Sequence, residues 1–256
     1  MCFDDDAHPP MPLSENSAAR GENIVLTSSD GTHFIGYLAT PGATPTAQVV
    51  ILPDVRGLHN FYRELALRFA DVGMRALAMD YFGRTAQSDV RDDSFDPKDH
   101  TQHMTPETFG WDLAAAVDYI RRKEGQELPT FTVGFCMGGA ISFWAGTRGL
   151  LLAGVIGFYA ALTRTFGAVT PVLDWAERIE SPVLGLFGGA DEAIPREQIA
   201  EFERKLEAGG VEHEIVVYPG APHSFFDRRA TDFAQASADA WTRVQGFIAG
   251  HQLTRV

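Results

Sequence analysis

The stretch TFTVGFCMGGA, residues 130–140, decides the fold class, because it joins a strand, a sharp turn and a helix start around one cysteine. Thr130–Phe135 is an apolar run that predicts a buried strand, and the small and apolar residues of Met137–Thr147 predict a buried helix. Cys136 therefore occupies a strand-to-helix turn. The reactive atom of a residue in that position projects above the carboxyl edge of the sheet.

Two glycines support this interpretation of the turn. A nucleophile on a sharp turn has strained backbone geometry, so small residues must stand two positions before and after it, as Gly134 and Gly138 do. Backbone N–H groups and the positive dipole end at the helix start stabilise negative charge there. The pattern favours a nucleophilic Cys136, and a buried, unreactive cysteine before a glycine-rich helix is the alternative.

Strands and helices alternate on both sides of this stretch, which predicts βαβ units, a parallel sheet and right-handed crossovers. Near the beginning, Asn23–Thr27 and His33–Ala39 are joined by a Ser-Ser-Asp-Gly turn that predicts an antiparallel hairpin. The further predicted strands are Gln48–Pro53, Met74–Met79, Gly154–Phe158, Val183–Phe187 and Glu212–Tyr218, and the further helices are Asn60–Val72, Glu107–Arg122, Pro195–Ala208 and Ala230–Gly250. We therefore expect one α/β domain over residues 21–256, preceded by a tail or a strap across the surface at residues 1–20.

Two later loops carry residues that complement a nucleophile. Asp191 follows the predicted strand Val183–Phe187 in a tight turn, and His223 follows the predicted strand Glu212–Tyr218. The chain order is therefore nucleophile, acid, histidine, each at the carboxyl end of a strand, as in α/β hydrolases. Taken singly, Asp191 is compatible with a helix cap and His223 with an ordinary loop histidine. Together with Cys136 they predict a catalytic triad.

The composition excludes several classes of protein. The 256 residues include 34 acidic and 21 basic side chains, and the net charge of −13 has the wrong sign for a nucleic-acid surface or for anionic lipid. No apolar run approaches the roughly 20 residues needed to span a bilayer, and no export signal is visible. Two cysteines cannot form a disulfide framework. We expect a cytoplasmic protein with a small-molecule substrate, without nucleic-acid or membrane partners, as a monomer or small homo-oligomer.

Three motifs identify a resemblance: GFCMGGA at 134–140, GGADEAIP at 188–195 and PHSFFDRR at 222–229. With them the chain, from about Asn23 to the last helix, resembles the dienelactone hydrolase family. The resemblance implies an α/β-hydrolase fold with a mostly parallel sheet of about eight strands, helices on both faces, and little or no cap domain. It also implies a cysteine nucleophile, which Cys136 matches.

The resemblance further implies roles for three residues beside the nucleophile. Family members hold and release the resting thiol with a glutamate after the third strand, and Asp54 occupies the matching place here. Aspartate is one methylene shorter, so we expect its contact with the sulfur to be lost or bridged by water. The implied oxyanion donors are the backbone N–H groups of Val55 and Met137.

The substrate residues are predicted less sharply. The type substrate of the family is a cyclic enol ester that carries a carboxylate, and an arginine fork binds a carboxylate through two hydrogen bonds. The alternative for each arginine is a solvated or structurally paired side chain, and for each aromatic residue a place in the core. The substrate-binding candidates are Arg56, Arg84, Tyr159, Ser224, Phe226, Arg228 and the neighbouring Arg229.

The predicted activity is hydrolysis of small esters or lactones, of the carboxymethylenebutenolidase type, through a thioester acyl-enzyme. The alternatives are a carboxylesterase or thioesterase of another substrate class and a non-catalytic binding protein that retains the fold. The long polar stretch Tyr81–Pro106 either covers the substrate or is a solvated excursion. His100 and His103 have a metal-like spacing without a third ligand, so we predict neither a metal site nor a cofactor.

Overall fold

The computed structural model of the chain describes residues 5–86, 88–123 and 128–252. Eight strands form one sheet. They are β1 Arg20–Thr27, β2 His33–Thr40, β3 Ala47–Leu52, β4 Met74–Met79, β5 Thr130–Phe135, β6 Gly154–Phe158, β7 Val183–Gly188 and β8 His213–Tyr218. Their spatial order is β1-β2-β4-β3-β5-β6-β7-β8. The side chains of β3 to β7 are almost all buried, as is typical of parallel strands covered on both faces.

The first two strands form the predicted antiparallel hairpin. Thr27 pairs with His33 at its closed end, and Gly31 adopts a φ of +86° in the turn, a conformation that glycine adopts without strain. β2 continues antiparallel to β4, and every pairing from β4 to β8 is parallel. The mostly parallel sheet of eight strands is therefore confirmed. β1 starts at Arg20, earlier than predicted, because it pairs with β2 as far as Thr40.

Helices cover both faces of this sheet. They are α1 Asn60–Asp71, α2 Lys98–Thr101, α3 Pro106–Arg122, α4 Met137–Ala145, α5 Arg196–Ala208 and α6 Ala234–Gly250, with short 3-10 turns at Val172–Asp174 and Ala176–Arg178. Aromatic contacts join neighbouring helices within each layer. The ring centroids are 4.8 Å apart for Phe69–Trp241 (α1 and α6), 5.6 Å for Phe109–Trp144 (α3 and α4) and 4.9 Å for Phe143–Phe202 (α4 and α5). No cap domain is inserted among the described strands.

Two predicted helix boundaries differ from the structure by more than one residue. The last helix begins at Ala234, and not at Ala230, because the preceding residues form turns, in which the N–H groups of Asp227 and Arg229 donate to the carbonyl of Ser224. The helix after Cys136 ends at Ala145, and its C-cap Gly146 donates its N–H to the Phe143 carbonyl. The strands before Cys136, Tyr159 and the histidine loop end where predicted, whereas β7 ends one residue later, at Gly188, and β3 one residue earlier, at Leu52.

Residues 5–19 run across the outside of α1. The backbone N–H of Ser14 donates to Asp71 at 2.9 Å, and its hydroxyl donates to the same carboxylate at 2.7 Å. His8 Nδ1 lies 2.8 Å from Glu64 Oε2. His8 and Ser14 therefore hold this segment to α1. Over the described part of the chain, no helix combines the length and the apolar surface that a membrane crossing requires.

The stretch after β4, predicted to be irregular, is fixed to the sheet edge. Arg91 and Asp80 form a buried pair through two hydrogen bonds, Nε to Oδ1 at 3.0 Å and Nη2 to Oδ2 at 2.8 Å. Asp80 also accepts the N–H groups of Leu58 and Phe82. The sequence prediction missed the short helix α2 in this stretch. This pair anchors residues 88–95 against the loop that follows β3.

Candidate active site

Cys136 lies at the turn between β5 and α4 with φ 55° and ψ −111°. A positive φ at a non-glycine residue is strained, which costs on the order of 1–3 kcal/mol and is typical of functional positions. The two glycines of the motif make the turn possible. A Cβ on Gly134 would lie 1.9 Å from the Gly138 carbonyl oxygen, and one on Gly138 would lie 2.1 Å from the Leu52 carbonyl oxygen. Cys136 is half-buried, so the fold fixes its position without enclosing the residue completely.

The backbone around Cys136 presents N–H groups. The N–H of Cys136 donates to the Phe158 carbonyl at 3.0 Å, which fixes the turn to β6. Val55 and Met137 are the two predicted oxyanion donors, and neither N–H donates to another group in the described part of the chain. Met137 begins α4, where the helix dipole is positive.

His223 and Asp191 form a direct pair, with Nδ1 of the histidine 2.6 Å from Oδ2 of the aspartate. The Asp191 side chain is 1% exposed and the His223 side chain 25% exposed. The second oxygen of Asp191 accepts the N–H of Ala193 at 2.9 Å, which fixes the carboxylate. Because β5 to β8 are parallel neighbours, the loops that carry Cys136, Asp191 and His223 meet at one edge of the sheet.

Tyr159 lies between the cysteine turn and the histidine loop. It follows β6 directly, is fully buried and has a φ of 35°. Its ring centroid is 4.9 Å from that of His223, and its hydroxyl donates to Asp227 Oδ2 at 2.6 Å. A residue predicted to contact substrate thus packs behind the histidine and hydrogen-bonds to its loop.

Asp54 is fully buried beside the oxyanion donor Val55. Its Oδ1 accepts the Arg56 N–H at 2.9 Å, and its Oδ2 has no hydrogen-bond partner, the Cys136 sulfur included, among the residues that the structure describes. Burial raises the pKa of Asp54 to about 8, and the charge of Asp227 acts in the same direction. Tyr81 covers the same region, with its hydroxyl donating to the Pro53 carbonyl at 2.6 Å.

Asp227 is the site residue that sequence reasoning missed. It is 3% exposed, and burial raises its pKa to about 7 even though the Tyr159 hydroxyl and the Arg228 N–H donate to it. The motif PHSFFDRR drew attention to its arginines. The available signal was the pair of phenylalanines before Asp227, because apolar neighbours in a loop indicate burial.

Two further substrate-binding candidates, Phe226 and Ser224, are buried in the loop that carries His223. Phe226 packs in the core with its ring 4.6 Å from that of Phe158. Ser224 is buried with a φ of 61°, and its carbonyl accepts the N–H groups that close the turn behind His223. These contacts hold the loop against the core.

Two arginine candidates are paired with carboxylates. The guanidinium of Arg56 is 1% exposed and lies 2.7 Å from Asp5 Oδ1 and 2.8 Å from Asp93 Oδ1, joining residues 5–19 and the stretch after β4 to the loop after β3. Arg84 pairs with Asp112 at 2.7 Å and with Asp30. For both arginines, these ion pairs favour a structurally paired side chain, which the sequence left open as the alternative to substrate binding.

The two remaining arginines lie on the outer side of the histidine loop. Arg228 is exposed and borders a cavity of about 420 Å³ between residues 6–11 and the beginning of α6. Arg229 pairs with Asp232 at 2.9 Å and lies over the Phe233 ring.

The histidines with metal-like spacing are not gathered into a metal site. His100 stacks on Phe95 with ring centroids 4.8 Å apart, and its Nδ1 lies 2.9 Å from the Thr85 hydroxyl. Within residues 5–86, 88–123 and 128–252, no three His, Cys, Asp or Glu side chains are arranged to hold a metal ion.

Known proteins are similar to this chain in both sequence and architecture. The model of the dienelactone hydrolase family matches residues 34–252. A Synechocystis protein named "Putative carboxymethylenebutenolidase" is 30% identical over 239 residues, 87% of this chain and 94% of the relative, and a Salmonella typhimurium protein of the same name is 28% identical over 246 residues, 94% and 91% of the two chains.

A solved structure agrees with these relatives. The crystal structure of "Putative Dienelactone Hydrolase" from Klebsiella pneumoniae superimposes with a TM-score of 0.76 at 25% identity, covering 91% of this chain and 99% of that one. The family model covers most of the chain, and the relatives match along most of their length. The chain therefore belongs to the dienelactone hydrolase family and is a hydrolase acting on esters or lactones.

Proposed function

We propose that the protein hydrolyses small carboxylic esters or lactones, in the manner of a carboxymethylenebutenolidase, through a Cys136–His223–Asp191 triad. The observation that carries the proposal is the 2.6 Å contact between His223 Nδ1 and Asp191 Oδ2, at the sheet edge where Cys136 stands on a strained turn. A buried carboxylate on one ring nitrogen fixes the orientation of the imidazole and stabilises its protonated form.

The first half-reaction forms a thioester. Because Asp191 binds Nδ1, Nε2 of His223 is the nitrogen that takes the thiol proton, and the Cys136 sulfur attacks the ester carbonyl carbon. The carbonyl oxygen becomes an oxyanion that the N–H groups of Val55 and Met137 stabilise, each such donor contributing about 3–4 kcal/mol. The C–O bond of the tetrahedral intermediate then breaks, and His223 gives its proton to the leaving alcohol oxygen.

The second half-reaction releases the acid. His223 takes a proton from water, the hydroxide adds to the thioester carbonyl, and the Cys136 thiolate leaves with the histidine again protonated. In a lactone the leaving alcohol stays attached to the acyl group. The first half-reaction therefore opens the ring, and the second releases the opened hydroxy acid from Cys136. No cofactor enters either step.

The test compares wild type with Cys136→Ala and with Cys2→Ser, a matched control outside the described residues. Rates on a lactone, an aryl ester and an acyl thioester give the substrate class. We expect Cys136→Ala to lose hydrolysis by at least about 10³-fold at unchanged circular dichroism, and Cys2→Ser to match wild type. Unchanged turnover by Cys136→Ala would reject the triad. If wild type hydrolysed the acyl thioester fastest of the three substrates, the protein would be reassigned as a thioesterase.

A further inference from the structure

The turn between β3 and α1 carries Val55, one of the two oxyanion donors of the proposed reaction. This turn packs directly on the turn of the nucleophile, because a Cβ on Gly138 would lie 2.1 Å and 2.2 Å from the carbonyl oxygens of Leu52 and Pro53. Its position therefore decides whether the N–H groups of Val55 and Met137 reach the same substrate oxygen. A misplacement of about 1 Å can cost about 10²-fold in rate.

The neighbouring N–H groups of this turn are used in hydrogen bonds. The N–H of Asp54 donates to the Tyr62 hydroxyl at 3.0 Å. The N–H groups of Arg56 and Gly57 donate back to Asp54, to its Oδ1 at 2.9 Å and to its carbonyl oxygen at 3.0 Å. Among the residues that the structure describes, the Val55 N–H donates to no acceptor, so it is available to an oxyanion.

The side chain of Arg56 anchors the turn to two other segments. Its guanidinium is 1% exposed, with Nη2 donating to Asp5 Oδ1 at 2.7 Å and Nη1 donating to Asp93 Oδ1 at 2.8 Å. The second carboxylate oxygen of Asp5 accepts the N–H of Asp93 at 2.9 Å. One carboxylate near the beginning of the chain therefore holds the arginine and residues 88–95 together.

We propose that Asp5 and Asp93 are positioning residues, which act through Arg56 to hold the Val55 N–H where the oxyanion forms. A buried guanidinium is stable only while carboxylates balance its charge and accept from its N–H groups. Without Asp5, Arg56 turns toward water, and the N–H of Val55, the residue directly before it, shifts with the backbone. This inference rests on the proposed function and deepens it.

The first test measures catalysis by Asp5→Ala. An oxyanion donor acts in the transition state and not in substrate binding, so we expect kcat for a 4-nitrophenyl ester to fall about tenfold or more, with KM within about twofold. Asp93→Ala should also lower kcat. The matched control is Asp30→Ala, which removes an ion pair between the hairpin turn and Arg84 and should leave kcat within about twofold.

The second test isolates the oxyanion. An aryl trifluoromethyl ketone accepts the Cys136 sulfur at its carbonyl carbon, and the ketone oxygen becomes an oxyanion on the same two N–H groups. Iodoacetamide alkylates the sulfur with loss of iodide and forms no oxyanion. In a Cys2→Ser background, Asp5→Ala should raise the inhibition constant of the ketone about tenfold or more and leave the alkylation rate within about twofold.

The outcomes separate positioning from a purely structural role. Unchanged kcat and ketone affinity in Asp5→Ala and Asp93→Ala, with a lower stability toward urea, would overturn the inference and keep the triad. An equal loss of ketone affinity and alkylation rate would show that the variant disturbs Cys136 itself, and would also overturn it. Wild-type turnover by Cys136→Ala would reject the triad and the positioning role together. If Asp93→Ala does not fold, Asp5→Ala decides alone, because the Asp5 side chain is 45% exposed.

Discussion

Asp191 and His223 are separated by 32 residues in the chain, yet their side chains are joined by a 2.6 Å hydrogen bond between Oδ2 and Nδ1. The carboxylate is almost inaccessible, and its other oxygen is held by a backbone N–H. This arrangement lets the imidazole rotate little. It also selects the tautomer with its proton on Nδ1 in the resting enzyme.

Asp191→Asn should preserve the fold but no longer select the His223 tautomer that has its proton on Nδ1. The amide can turn its N–H₂ toward Nδ1, which then accepts a hydrogen bond, so the imidazole proton lies on Nε2. A protonated Nε2 cannot take the proton of the Cys136 thiol. We expect kcat to fall on the order of 10³–10⁴-fold, as for an orienting carboxylate in a hydrolytic triad. Steady-state kinetics with an aryl ester measures this. A loss smaller than tenfold would show that Asp191 does not orient the catalytic base.

Tyr159→Phe should reduce activity and stability together. The variant keeps the ring beside His223 but removes the donor to the buried Asp227, which costs about 1–3 kcal/mol and raises the pKa of Asp227 further. The matched control is Tyr218→Phe, whose hydroxyl bonds the half-exposed Asp239, with an expected cost below about 1 kcal/mol. Urea unfolding of both variants gives the comparison. Equal costs would contradict the role assigned to the Tyr159–Asp227 bond.

Gly138→Ala should be far more damaging than Gly246→Ala. A Cβ at Gly138 would lie 2.1 Å and 2.2 Å from the carbonyl oxygens of Leu52 and Pro53, and this backbone cannot retreat without moving β3. We expect a loss above about 3 kcal/mol or a failure to fold. At Gly246, in α6, nothing lies within 4 Å, and alanine should stabilise the helix by up to about 1 kcal/mol. Thermal denaturation measures the stability of both variants. A Gly138→Ala variant as stable as wild type would contradict the close packing of the turn at Cys136.

Asp54 should make the protein less stable as the pH rises. Its pKa is about 8 in the folded state and about 3.9 in the unfolded chain, so between these values the folded protein retains a proton that the unfolded chain releases. The free energy of unfolding then falls with rising pH, by at most about 1.4 kcal/mol per pH unit for this group. Asp54→Asn removes the part of the dependence that comes from this group.

Urea unfolding at pH 5, 6, 7 and 8 measures the effect. The stability of Asp54→Asn relative to wild type should increase steadily across this series. Asp118→Asn, which removes an exposed carboxylate from α3, should show a constant difference from wild type. A difference for Asp54→Asn that does not change with pH would mean that Asp54 is ionised throughout the range.

Much of the fold could be predicted because it is encoded locally. Gly134 and Gly138 around Cys136 marked a strand-to-helix turn, and the apolar runs of β4, β5 and β6 gave those strands their exact bounds. The start of α6 was misplaced. The predicted start, Ala230, lies in a series of turns that continues to residue 233, and the sequence pattern did not separate these turns from the first turn of the helix.

The surroundings of the site were harder to predict, because they depend on contacts between distant residues. Nothing near Arg84 in the sequence indicates that Asp30 and Asp112 neutralise it, and Asp5 and Asp93 likewise meet Arg56 only in the folded chain. Two arginines that looked available to a substrate carboxylate are therefore held elsewhere, while Asp227, which the sequence analysis did not single out, is buried in the loop that carries the histidine.

The most direct test of the account is intact-mass spectrometry of the enzyme quenched in acid within milliseconds of mixing with a 4-nitrophenyl ester. We expect a species heavier by one acyl group, with the acyl group mapped by peptide fragmentation to Cys136 and missing in Cys136→Ala. Acylation of another residue, or wild-type turnover by Cys136→Ala, would contradict it.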